Sequence, residues 1–339
     1  MTLKAPGTLV VLGAINWDTT VFVRRFANPG EEVPVRSIEE SPGGKGANAA
    51  VAAARILGPN VSIIGALGDD ETGAILRRGL RAEGVADASV VVVRGTPSGR
   101  AYIVVDGLGG KAIHTFFGAN ETLKPDHLHS SGAKRVLSIA RTVLIMDVPV
   151  PVALAVAKKA KETGAFVVYS PGVHSALGVQ AVEDVIRFAD VLVIDRSELS
   201  NLSGLQDPFE AASKLQGIFT GLTVVATLGP LGCAVVSRGS QAVVPGVDLR
   251  DLGLKAVNST GSGDAFLGVF TSYRILGRSN LDAAGFANLA GALKATKSET
   301  RGSPSRVELE RTMEALSRVK RPRQGSPSSR ASSHSRRRS

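Results

Sequence analysis

Residues 257–266 read VNSTGSGDAF, a run in which Gly261, Ser262 and Gly263 stand immediately before one carboxylate, Asp264. Glycines at a helix start let backbone N–H groups crowd together. Those unpaired donors, with the helix dipole, favour an anion. Phosphoryl transfer needs such a cradle, because most of its catalysis is positioning and charge stabilisation. An acid directly after the cradle is placed to take the proton of an attacking hydroxyl. The residue types therefore point to Asp264 as a general base and to Gly261 and Gly263 as an anion hole. A glycine-rich turn with Asp264 as an ordinary helix-start residue accounts for the same run about equally well.

A second glycine-bearing segment, SPGGKGANAAVAAARILG, covers residues 41–58. It lacks the spacing of a P-loop. Gly43 and Gly44 would admit a ligand close to the backbone, Lys45 supplies a cation, and Asn48 can both donate and accept. That set suits a polyhydroxylated acceptor; a strand-to-helix turn with a surface lysine is the plainer account. GAINWD ends the first predicted strand with Asn16 and Asp18. A carboxylate there can accept two sugar hydroxyls, or merely cap a turn. TLGPLG, residues 227–232, follows a strand and turns tightly on Gly229, Pro230 and Gly232, a shape that can lie against a nucleotide.

The elements that must position these groups alternate. Residues 8–15 and 60–68 read as strands, 46–58 and 71–84 as helices. Four segments then break the rhythm: 19–26, 32–38, 99–107 and 111–118, with turn residues that suggest antiparallel pairing. From residue 142 the rhythm returns. Strands at 142–148, 165–172, 189–198 and 222–229 accompany helices at 151–163 and 208–219. A hairpin (232–246) and three helices (263–277, 280–296, 305–318) follow. The pattern predicts a three-layer α/β/α domain, mainly parallel, over residues 1–318. A small β-sheet lid falls within about 16–45 and 97–120. Ligands in such folds bind beyond the carboxyl ends of the strands.

Composition excludes several classes. The chain has 339 residues, 43% of them apolar, and no apolar run of membrane-spanning length. A soluble cytoplasmic protein is expected. The single cysteine, Cys233, excludes an internal disulfide and a cysteine metal cluster, and reads as a small buried hydrophobe. The net charge of +10 hints at nucleic acid. However, eight Lys or Arg and no acid fall between Ala315 and Ser339, which leaves about +2 for the rest. The basicity belongs to a Ser/Arg/Pro-rich tail, 319–339, expected to be disordered and able to meet anionic partners only through charge.

With these motifs in order, the chain resembles the ribokinase-like (PfkB) carbohydrate kinases, ribokinase most closely, over about residues 7–310. GGKGAN and NSTGSGDAF, about 215 residues apart, carry the likeness. The resemblance implies ATP with Mg²⁺ and transfer of the γ-phosphoryl group to a primary sugar hydroxyl. It makes Asp264 the base, Gly261 and Gly263 the anion hole, and Asn16, Asp18, Gly43, Gly44, Lys45 and Asn48 sugar-binding residues. Asp147 falls where ribokinases have a sugar-contacting Glu. Asp195 and Glu198 match an Asn-x-x-Glu that organises Mg²⁺ and phosphates. Thr227, Gly229 and Gly232 match the nucleotide loop, and Asn288 a position beside adenine. Asn258 stands where ribokinases have an Asp that helps bind a monovalent cation; with only a neutral carbonyl oxygen to offer, it leaves K⁺ activation open. The loop 296–305 is about two residues longer than usual.

The resemblance names ribose as first acceptor. A nucleoside would use aromatic surface such as Trp17, Tyr102 and Phe116. A phosphosugar such as fructose 1-phosphate would use a lid cation among Arg24, Arg25, Arg36 and Arg100. A non-catalytic sugar or nucleotide sensor is the reading from another class. Lid strands expose edges that a homodimer would cover. Gly43–Gly44 and Gly99 are candidate hinge points.

Overall fold

The protein is described by a computed structural model over residues 8–319; the basic tail beyond Val319 lies outside the described residues. In chain order the elements are β1 (Thr8–Gly13), β2 (Asn16–Val23), β3 (Val35–Gly43), α1 (Lys45–Leu57), β4 (Val61–Gly68), α2 (Glu71–Ala82), β5 (Ala86–Val93), β6 (Gly99–Val105) and β7 (Lys111–Phe116). There follow α3 (Ser131–Ile139), β8 (Ala140–Met146), α4 (Val150–Glu162), β9 (Phe166–Ser170), α5 (Val179–Ile186), β10 (Val191–Asp195), α6 (Arg196–Ser203) and α7 (Pro208–Ile218). The last are β11 (Thr223–Thr227), β12 (Gly232–Ser237), β13 (Ser240–Pro245), α8 (Ser262–Ile275), α9 (Asn280–Ala295) and α10 (Arg306–Val319).

Nine strands form one sheet in the order β13-β12-β11-β10-β9-β8-β1-β4-β5. Its strands run parallel from β5 to β11, and β12 and β13 close it as an antiparallel hairpin. The central strand β1 shows why the layers form. Leu9 and Val11 enter one core with the α1, α8 and α9 side chains, while Val10 and Leu12 enter a second with α3, α4 and α7. A strand apolar on both faces must be covered on both, which gives the three layers. Every residue of β4 is likewise buried.

The second sheet, β3-β2-β6-β7, is the lid. Its existence and location follow the sequence reading, with two corrections. β2 and β6 pair in parallel, so the lid is two antiparallel hairpin-like pairs joined by a parallel seam rather than antiparallel throughout. Asn16 and Asp18 do not end the first strand: β1 stops at Gly13, and both residues open the lid strand β2. β5, α3, α5 and α6 were absent from the pattern. The three helices are only eight or nine residues long, little more than two turns, and fall short of the window of about 11–18 residues in which helical periodicity stands out.

Candidate active site

The site forms where the lid meets the carboxyl ends of the parallel strands. β2 pairs with β3 in register Asn16↔Gly43 and Asp18↔Ser41, so the acceptor-side residues of both motifs share one strand pair. Gly44 then starts α1 and leads to Asn48, buried one turn in. The Asn48 side-chain amide donates to Asp264 Oδ2 at 2.8 Å, across 216 positions of sequence. That bond joins the two signature segments directly.

Asp264 lies in the first turn of α8. Gly261 caps this helix in the left-handed region (φ 84°) and offers no side chain to its N–H groups. The open donors of the first turn therefore remain for an anion. Asp264 is buried, and burial raises its carboxyl above the usual range; Asn48 and Lys45 oppose the rise and Asp147 adds to it. It lines a cleft of about 110 Å³ with Lys45, Asp195, Glu198, Thr227 and Gly263. Thr227 and Gly263 also border a larger cleft of about 280 Å³, which reaches Gly229, Gly232 and Asn288. The Asn288 amide donates to Val244 and Pro245 carbonyls at 3.0 and 3.2 Å, tying α9 to β13 behind that cleft.

Asp18 is 4% exposed, and its Oδ1 has no hydrogen-bond partner. Burial and the neighbouring Asp264 push its pKa up to about 7, against Arg301. A buried carboxylate oxygen without a donor is costly, and a ligand hydroxyl is the group that would satisfy it. Lys45 sits among four acids. Burial opposes its charge, yet Asp147, Glu198, Asp264 and Asp195 hold its pKa above the ordinary lysine value. Its Nζ is 3.8 Å from Asp147 Oδ1. Asp147 itself adopts φ 54° and accepts from Val173 N at 3.2 Å, a left-handed backbone that a non-glycine residue enters only under local constraint.

Asp195 and Glu198 form a reciprocal cap at the start of α6: Glu198 N donates to Asp195 Oδ1 at 2.8 Å, and Asp195 N to Glu198 Oε2 at 3.2 Å. Burial and Asp195 push Glu198 up to about 7. An acid that resists ionisation, beside a second carboxylate at the mouth of this cleft, makes a donor pair that a cation would relieve. Among the described residues no group of three or more His, Cys, Asp or Glu forms a metal cage. Any Mg²⁺ here would therefore be held largely by phosphate oxygens and water.

Three polar residues that sequence reasoning passed over are central. Asn120, 1% exposed, accepts from Ile15 N (2.9 Å) and donates to Ile15 O (3.1 Å) and Asn16 Oδ1 (2.9 Å). It fixes the exit from β1 into the lid. Arg301 donates to Asn48 Oδ1 (3.1 Å) and Gly43 O (2.9 Å), bracing the GGKGAN turn from the 296–305 loop. Lys294 is fully buried beneath Asn258. The signal for Lys294 was present: a lone charge within the apolar run AGALKA.

Residues 7–306 match the family model described as pfkB family carbohydrate kinase. The chain belongs to the pfkB carbohydrate kinase family. This family member is 31% identical over 309 residues to a ribokinase of Haemophilus influenzae, covering 89% of this chain and 96% of that one. Over 278 residues it is 28% identical to a bifunctional ribokinase/ribose-5-phosphate isomerase A of Fructilactobacillus sanfranciscensis, covering 80% of this chain. It spans only about half, 49%, of that longer relative. The structure of Arabidopsis thaliana ribokinase complexed with ribose and ATP superimposes with a TM-score of 0.80 at 26% identity, covering 92% of this chain and 99% of that one. The nine-stranded sheet and separate four-stranded lid are thus the ribokinase-like α/β fold.

Proposed function

We propose that this chain is an ATP-dependent ribose kinase that forms ribose 5-phosphate. The observation that carries the reading is the 2.8 Å bond from Asn48 to Asp264, which sets a buried acid between an unsatisfied acceptor-side carboxylate and an open helix N-terminus. Asp18 and Asn16 would hold sugar hydroxyls, with Asn48, Lys45, Asp147 and the Gly43–Gly44 turn completing that side. Asp264 would take the proton of the primary hydroxyl as its oxygen attacks the γ-phosphorus. The amides of Gly261 and Gly263, with Lys45, would stabilise the charge on the transferring group. Adenine fits the cleft bordered by Thr227, Gly229, Gly232 and Asn288. Glu198 and Asp195 fit Mg²⁺, which when bound would neutralise phosphate charge.

Lid geometry favours a small acceptor over a nucleoside. Paired residues share a face, and alternate positions along a strand share it too. Trp17 pairs with Arg100 and Arg100 with Phe116; Thr19 pairs with Tyr102. All of these lie one position out of phase with Asp18, on the opposite face of the lid. The aromatic surface a nucleoside would want is therefore turned away from the acid. Arg100 donates to Thr72, and Arg25 is paired with Glu31, so for a sugar phosphate the lid offers Arg24, Arg36 and Lys111, the last with its charge felt at Asp264. The outer lid face carries exposed Ile38, Tyr102 and Phe116, which supports the homodimer reading. Among the described residues no helix is long and apolar enough to cross a membrane.

The test is ADP release with ribose, deoxyribose, fructose, fructose phosphates and nucleosides. Ribose should give the highest kcat/KM. Faster turnover of a nucleoside or phosphosugar would replace the acceptor, and equal ATP turnover with and without every sugar would remove the kinase reading.

A further inference from the structure

We propose that Lys294 is a built-in monovalent cation: its ammonium holds the Asn258 carbonyl and so orients the loop leading into the anion hole, making phosphoryl transfer independent of potassium. The proposal rests on the kinase reading above.

Lys294 lies in the last turn of α9 and is 0% exposed. Its Nζ donates to Asn258 O at 2.8 Å. Both polar atoms of the Asn258 side chain are already engaged within the protein. Its Oδ1 accepts from Thr260 N at 2.9 Å, and its Nδ2 donates to Ser298 O at 2.8 Å. A potassium ion seated on the same carbonyl would also meet the ammonium at close range, and two like charges there repel strongly. The residues present therefore do not fit a bound K⁺, although the family likeness puts a cation-binding acid at this position.

An ammonium is expensive to bury, and a methionine would fill similar volume without that cost. The charge is thus the feature that needs a reason. Two acids face it, Asp264 from α8 and Glu299 from the following loop, while Lys111 on the lid opposes it. The loop is pinned again where Val257 N and Asn258 N donate to Ala295 O at 2.7 and 3.0 Å. What the ammonium adds is direction. In a trans peptide the carbonyl and the following N–H point opposite ways, and the chain has no cis bond among the described residues. Drawing the Asn258 carbonyl back toward Lys294 turns the Ser259 N–H the other way, and Ser259 lines the larger cleft. Two residues further, Gly261 begins α8. Lys294 touches no reacting atom; it is a positioning residue for the donors that do.

The experiment compares wild type and Lys294→Ala in choline, Na⁺, K⁺ and NH₄⁺ chloride at equal ionic strength, by ADP release and by melting temperature without substrates. Wild-type rates should agree within about twofold across the salts, and the variant should lose about 10²-fold in choline, the scale of removing support from an oxyanion donor. K⁺ or NH₄⁺ should restore part of that loss and raise the variant's melting temperature, whereas choline should do neither. A buried lysine with a merely structural role gives a loss that no ion moves, and that result overturns the proposal. So does a wild type that K⁺ accelerates severalfold, a measurement that needs no variant to fold. If ribose is not turned over in any salt, the acceptor assignment fails, and the melting comparison decides this proposal alone.

Discussion

The two glycine-bearing turns of the site look alike in sequence and differ in what fills the space their missing side chains leave. At Gly43 a Cβ would stand 2.0 Å from Asp18 Oδ2, and at Gly44 2.5 Å from Asn16 N. That space is occupied by the protein: the glycines let β3 press against the end of β2 that carries Asn16 and Asp18. At Gly263 an added Cβ would meet nothing within 4 Å, although the residue lines both clefts. That space is kept for something else. Gly43 and Gly44 are bare so that the lid and helix α1 can close on each other; in the second turn Gly261 is likewise packed, against Thr300 O, and it is Gly263 that leaves the backbone open to a ligand.

The comparison can be broken most sharply beside the open turn. Asp264→Asn should lower kcat by about two to four orders of magnitude, the usual scale for a lost general base, with ribose still bound by calorimetry. A variant with wild-type turnover would detach the open turn from the chemistry. Next in size, Gly263→Ala should cost about 10²-fold in kcat by blocking the anion, while its melting temperature holds or rises slightly because alanine suits a helix better. Gly43→Ala should show the reverse balance. Its clash with Asp18 should cost about 1–3 kcal/mol of stability, read in denaturant unfolding, with a raised KM for ribose. Equal stability losses in the two glycine variants would erase the distinction.

The smallest effect concerns pH. Asp18 is pushed up to about 7, so kcat/KM for sugar should climb as pH rises through that value and the carboxylate ionises. Stability should move the other way. A carboxyl raised in the folded state contributes most below its unfolded pKa, near 4, and loses that contribution as pH rises through 7. Asp18→Asn should therefore melt about 2–4 °C higher than wild type at pH 8, with a smaller difference at pH 5. A pH-independent difference would mean that Asp18 is satisfied within the protein after all.

What the sequence made legible follows from which signals are local. The βα alternation, the hairpin at 232–246 and the lid segments all declare themselves within a dozen residues, and all are present. Cys233 is buried, and burial pushes its thiol up to about 12, as suits an inert hydrophobe. The parallel β2–β6 seam was hidden because it joins strands about 80 residues apart, and no turn between them signals its direction. Asn120 and Arg301 were hidden for a related reason: each acts on backbone or amide groups more than 100 positions away. Asp195 and Glu198 were read only as metal and phosphate acids, yet they also cap α6, a local role with its own spacing signature.

The placement of Asn16 and Asp18 on the lid strand has one more result. In the proposed reaction Asn16 and Asp18 would meet the sugar from the lid, while Asn48, Lys45, Asp147 and the acid Asp264 would meet it from the main domain, so the reaction centre would be a seam and not a cup. Were the halves to part, water would meet the proposed phosphate cradle without its partner wall. On that reading a guest touching both margins would draw them together, and the nucleotide would be spared idle hydrolysis until a proper acceptor arrives.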